Sequence, residues 1–126
     1  MMIVSFAKTT PAILARRKSV TRRKWKESHA QRFSPGTLFQ IYSNGPHRGG
    51  KHIGVGRIVN VTKDSNGKIA DLGDWEREGF AYLNEHRLPL GKNLMPGDLW
   101  REWLIHGTEG LYRVEFEIVT LESEQN

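Results

Sequence analysis

The stretch PAILARRKSVTRRKW, residues 11–25, decides how the rest of the chain is read. Thr10 as N-cap and Pro11 at the first helical position predict a helix start. The apolar run Ala12-Ile13-Leu14-Ala15 continues that helix, which is expected to end near Arg17. Val20 and Thr21 are β-branched and suit an extended backbone, so the helix hands over to an extended segment. Arg16, Arg17, Lys18, Arg22, Arg23 and Lys24 then stand with the hydroxyls of Ser19 and Thr21 at one helix exit. That combination suits a phosphate. It also suits a lysine pressed toward its neutral form, because neighbouring cations and burial both lower an amine's pKa. A neutral Lys18 can serve as base for the Thr21 hydroxyl three residues on, and the two are expected within hydrogen-bond reach.

Charge is distributed unevenly around this stretch. Residues 1–33 hold nine Lys or Arg and one acid, Glu27, a net +8, which leaves −3 for the rest of a chain whose total is +5. Such asymmetry points to a polyanionic partner, nucleic acid first, or else to a merely solvated basic face. With 126 residues the length fits one domain, residues 1–126, whose last five are expected to fray. There is no cysteine, so disulfides and thiolate metal sites are excluded. No apolar run reaches membrane-spanning length, and the N-terminus lacks a signal-peptide core. A soluble, cytoplasmic protein without membrane association is expected.

Outward from the basic stretch, short elements follow. Residues 3–6 read as an opening strand, and residues 25–33 as a helical turn or two ended by Ser34-Pro35-Gly36. TLFQIY, residues 37–42, and IGVGRIVNVT, residues 53–62, read as strands; Gly54 and Gly56 suggest a bulge or a close approach. Asn66-Gly67 marks a turn, and residues 69–72 are a third strand or the lead-in to a helix. Residues 74–80 start with Asp74 as N-cap and stop at Gly79. Residues 83–95 are poorly patterned. Residues 96–106 form a helix with Leu99, Trp100, Trp103 and Leu104 on one face. Residues 111–121 are the clearest strand, with Tyr112, Val114, Phe116 and Ile118 facing the core. Short strands with a few short helices give an α+β, mostly β fold, a small barrel or sheet with helices at its ends.

Few motifs carry chemistry on their own. His47 and His52 share one loop, and no HExxH or His-x-His spacing occurs, so no metal is expected. Gly49-Gly50-Lys51 lacks the ending of a P-loop because His52 follows, although Arg48 and Lys51 could touch a nucleic-acid backbone. Trp100 and Trp103 could stack on bases, but their helical spacing favours core packing. Trp25, among Arg23, Lys24 and Lys26, is the better candidate for stacking on a base.

The run from Ala12 to Arg23 resembles the signature of ASCH domains, members of the PUA-like superfamily. In that signature a short helix ends in Gly-x-Lys, a Thr or Glu follows three residues on, and an Arg comes next. Phe33-Ser34-Pro35-Gly36-Thr37 and Glu76-Arg77-Glu78-Gly79-Phe80 resemble two further family segments, and the closing strand around residues 114–118 fits as well. The resemblance spans residues 3–120. It implies a small PUA-like β-barrel flanked by helices, with a cleft lined by the signature residues. PUA-like domains generally bind RNA, and one bacterial ASCH group consists of small amidohydrolases that deacetylate acetylcytidine through a Lys, a Thr and a Glu. Lys18, Thr21 and Glu78 match those three types; many ASCH domains carry Glu where Thr21 stands. Two positions depart from the pattern. Arg16 replaces the signature glycine, and Arg22 replaces an apolar residue. Extra residues lie near 24–32, 44–52 and 84–97.

Two functions are therefore expected side by side. One is an RNA- or nucleotide-binding module whose ligand is held by Arg16, Arg17, Arg22, Arg23, Lys24, Trp25, Arg48 and Lys51. The other is an amidohydrolase of acylated cytidine-type nucleosides or nucleotides, with Lys18, Thr21 and Glu78 as its catalytic residues. Neither needs a cofactor. Glu78 has a plainer alternative, a pairing with Arg23 that holds the cleft together.

Overall fold

A computed structural model describes residues 2–45, 48–64 and 72–125. Five strands form one mixed sheet: β1 (Met2–Ser5), β2 (Val20–Arg23), β3 (Leu38–Tyr42), β4 (His52–Lys63) and β5 (Tyr112–Leu121). Their order is β1-β3-β4-β5-β2, with β1 parallel to β3 and the other pairs antiparallel. The sheet curls into a half-barrel with β1 and β2 as its two edges, which is compatible with a PUA-like fold but is not a closed barrel. Five short helices accompany it: α1 (Thr10–Leu14), α2 (Glu27–Ala30), α3 (Asp74–Arg77), α4 (Phe80–Glu85) and α5 (Pro96–His106). None is long and apolar enough to cross a membrane.

Alternation on β5 works as its sequence suggests. Tyr112, Val114 and Phe116 are buried, and Ile118 packs partly buried against the same cluster. The phase then slips by one residue, because the β4 register skips Val119 between Val55 and Gly56. Val119 turns outward and Leu121 inward, the expected consequence of a bulge. Gly56 is required here: a Cβ would sit 2.4 Å from the Phe39 ring.

Two cores result. The first fills the curl of the sheet, with Phe6, Phe33, Phe39 and Phe116 at its centre. The second lies among the helices and joins Ala12, Phe80, Leu83 and Leu90 to Trp75, Trp100 and Trp103. Helix α1 belongs to both, because Ile13 points into the first and Ala12 into the second.

Several expectations change. Helix α1 stops at Leu14, short of Arg17, and the Thr10 hydroxyl donates to the Phe6 carbonyl (2.8 Å) instead of capping the helix. The residues after Gly79 form a further helix, α4, that their weak patterning concealed. Leu104 is 46% exposed and does not share the buried face of Leu99, Trp100 and Trp103. Residues Glu122–Glu124 make a 3-10 turn with no buried residues. The Asn66-Gly67 turn, residues 69–71 and His47 lie outside the described residues.

Candidate active-site cleft

The site forms where two backbone breaks meet an edge strand. After α1 the chain turns at Arg16, which adopts φ +57°. A side chain is strained in that region and a glycine is not, so Arg16 holds a backbone conformation that ordinarily favours glycine. Its guanidinium is clamped by both carboxylate oxygens of Glu124, at 2.8 and 2.7 Å, and by the Ile118 carbonyl. The turn sends Arg17, Lys18 and Ser19 alongside α3, where the Ser19 amide donates to the Arg77 carbonyl (2.7 Å).

The second break is Gly79, at φ +86°, which separates α3 from α4. A Cβ there would lie 2.6 Å from Ala12 Cβ and 3.3 Å from Lys18 Cβ, so only glycine lets the helices close on Lys18. The break leaves the Glu78 carbonyl free to accept from Lys18 Nζ (2.7 Å), which also donates to Glu78 Oε1 (3.2 Å). Both residues are buried, Lys18 at 4% and Glu78 at 2% exposure. Burial pushes the Lys18 amine down to about 8; Glu78 pulls it up, and Arg23 and Arg22 push it down further. Arg16 and Arg17, expected to crowd this amine, point elsewhere: Arg17 pairs with Glu76 and Glu85.

The third contribution is β2, an edge strand whose alternate residues share a face. Thr21 and Arg23 are on one face: Arg23 Nε donates to Thr21 Oγ1 (3.0 Å), and Arg23 Nη2 donates to the Ser5 carbonyl (2.7 Å) on the opposite edge strand. Thus Arg23 bridges the two edges of the half-barrel, with its guanidinium 4.9 Å over the Phe6 ring. Arg22 donates to Asp64 (2.9 Å), Asp74 (2.7 Å) and Glu78 Oε2 (3.0 Å), and its side chain is 1% exposed. It is therefore Arg22, not Arg23, that pairs with Glu78. Asp74 also accepts two hydrogen bonds from Arg113, the residue across from Arg22 in the β2–β5 register. Burial alone would raise the Asp74 carboxyl, but Arg113 and Arg22 outweigh it and hold it at about 2.

Lys18, Thr21, Arg22, Arg23 and Glu78 all line one cleft of about 320 Å³. Its other wall is apolar, built from Phe6 of the first core and Phe80, Leu90, Leu94, Leu99 and Trp103 of the second. The expected hydrogen bond between Lys18 and Thr21 is absent: Lys18 is held by Glu78 and Thr21 by Arg23. The remaining expected ligand contacts are not brought to the cleft. Arg16 and Arg17 are engaged by carboxylates, and Trp25 stacks on Phe33 with ring centroids 4.5 Å apart. Lys24, Arg48 and Lys51 are exposed and lie away from the cleft lining. Sequence reasoning missed the apolar wall and the roles of Asp64 and Asp74. The wall could have been found from Trp103, whose stacking role ranks below core packing by its spacing, and from Leu99, its neighbour on the same helix face. Among the described residues no group of His, Asp or Glu could hold a metal ion.

No family model matches the chain, and no curated protein matches it. The fold is similar to the crystal structure of protein EF3133 from Enterococcus faecalis, of family DUF984. The TM-score is 0.59 over 99% of this chain and 84% of that one, at 18% sequence identity. At that identity the likeness is one of fold.

Proposed function

We propose that the cleft binds an acylated nucleoside or nucleotide of the cytidine type and hydrolyses its acyl amide. One observation carries this reading: Lys18 and Thr21 share one small cleft, against an apolar wall, with Glu78 from a remote part of the sequence. The volume lies at the lower end of the roughly 300–1,000 Å³ typical of small-ligand sites. It suits one nucleoside, with the base against the wall and its polar edge toward the lysine.

Thr21 Oγ1 attacks the acyl carbonyl, and neutral Lys18 accepts the hydroxyl proton. The Thr21–acyl ester forms as the C–N bond breaks. Glu78, already hydrogen-bonded to Lys18 Nζ, relays that proton to the departing amine. Water then attacks the ester through the same lysine and releases the acid. For this chemistry the ligand must draw Lys18 and Thr21 together, a tightening common in sites that are loose when empty. Arg23, donating to Thr21 Oγ1, favours the oxygen as its proton leaves. The RNA-binding alternative is left with Arg23, Lys24, Arg48 and Lys51, because carboxylates occupy Arg16, Arg17 and Arg22.

The assay incubates purified protein with acetylcytidine, its 5′-monophosphate and longer acyl homologues, and reads release of the acid. Turnover is expected, with loss on Lys18→Ala and on Thr21→Ala. Turnover that survives both substitutions, or none on the whole panel, overturns the reading.

A further inference from the structure

The cleft is lined by four basic side chains, Lys8, Lys18, Arg22 and Arg23, and one acid, Glu78. Two of the four are neutralised. Lys18 is paired with Glu78, and every guanidinium nitrogen of Arg22 donates to a carboxylate. Arg23 differs. Its Nε and Nη2 hold Thr21 and Ser5, and neither acceptor is charged. Arg23 Nη1 has no hydrogen-bond partner among the described residues. Because no buried side-chain nitrogen lacks a partner, Nη1 is accessible, and the space that Arg23 lines is the cleft. Lys8 is exposed on the same rim and has no carboxylate partner among the described residues. It lies three residues after Ser5, so both cations stand at the β1 side, where Arg23 is anchored.

The geometry points to an anion subsite at the β1 rim, formed by the free edge of the Arg23 guanidinium and by Lys8, that takes a phosphate on the ligand. A guanidinium whose Nε and Nη2 are fixed by the protein holds Nη1 in place as a charged donor to a phosphate oxygen. Lys8 supplies a mobile point charge beside it. The preferred substrate class is then a nucleoside phosphate and not the uncharged nucleoside. The nucleoside part of that ligand rests on the amidohydrolase reading, but the phosphate part does not.

The experiment titrates the full chain with inorganic phosphate and follows the Arg23 side-chain nitrogen resonances by NMR. A saturable shift is expected. Arg23→Lys should weaken phosphate binding about tenfold or more through loss of this anchored donor. Lys8→Glu, on an exposed side chain that leaves the fold alone, should weaken it several-fold. Arg23 resonances that ignore phosphate, or unchanged binding by Lys8→Glu, overturn the subsite. A matched pair, cytidine and cytidine 5′-monophosphate, is then compared. Tighter binding of the monophosphate is expected, and equal affinity overturns the preference. If neither cytidine compound binds while phosphate still moves Arg23, the anion subsite stands and the nucleoside reading falls.

Discussion

Lys18 is an amine kept at about 8 by burial, against an ordinary 10.5. If it is the base, kcat/KM rises with pH and levels off above about 8, and Lys18→Met lowers turnover by roughly 10²–10⁴-fold. The same displacement has a signature in stability. Between about pH 8 and 10.5 the unfolded chain holds this proton and the folded chain does not, so the group makes stability climb with pH in that window. Urea unfolding at the two ends of the window should show the climb, and Lys18→Met should flatten it. Asp74 has the opposite sign. Its carboxyl is held at about 2 against 3.8, so its contribution is present above about pH 4 and is lost as pH falls through 2. Asp74→Asn leaves Arg22 and Arg113 buried with less charge to meet. It should cost about 3–5 kcal/mol, the usual penalty for breaking a buried pair, as read by urea unfolding at neutral pH. Arg22→Glu would put a fourth carboxylate beside Asp64, Asp74 and Glu78. It should unfold the protein.

At the scale of elements, the α3–α4 break governs the site. Gly79→Ala sets a methyl 2.6 Å from Ala12 Cβ at a positive φ. It should cost more than about 1 kcal/mol and reduce turnover with it, because the same movement displaces Lys18 from Glu78. In the sheet, Phe116 is 2% exposed and touches Phe6 and Phe39; Phe116→Ala should cost about 3–5 kcal/mol, measured by denaturant unfolding. Elements with a repeating pattern or a firm boundary were legible in sequence. Strand β5 alternates, and α5 starts at Pro96. Helix α4 was not legible, because its six residues are too few for a period and its buried side chains are Phe80, Ala81 and Leu83. The slip at Val119 was equally hidden, since a bulge depends on the partner strand.

Over the whole molecule, part of the charge asymmetry of the sequence is resolved internally. Cations of the first third meet acids of the rest: Arg16 with Glu124, Arg17 with Glu76, and Arg22 with Asp64, Asp74 and Glu78. A linear count cannot distinguish that folding complementarity from a surface awaiting a polyanion, because the partners are remote in sequence. The three reactive types were legible through their resemblance to a signature; their partners were not. What the fold adds is the enclosure of Lys18 by α1, Gly79 and the sheet edge, which lowers its affinity for a proton. An NMR titration of the Lys18 side chain, isotope-labelled at Cε, measures that directly. A midpoint near pH 8 is expected in the wild-type chain; a midpoint at the ordinary lysine value of 10.5 would contradict the assignment of Lys18 as the base.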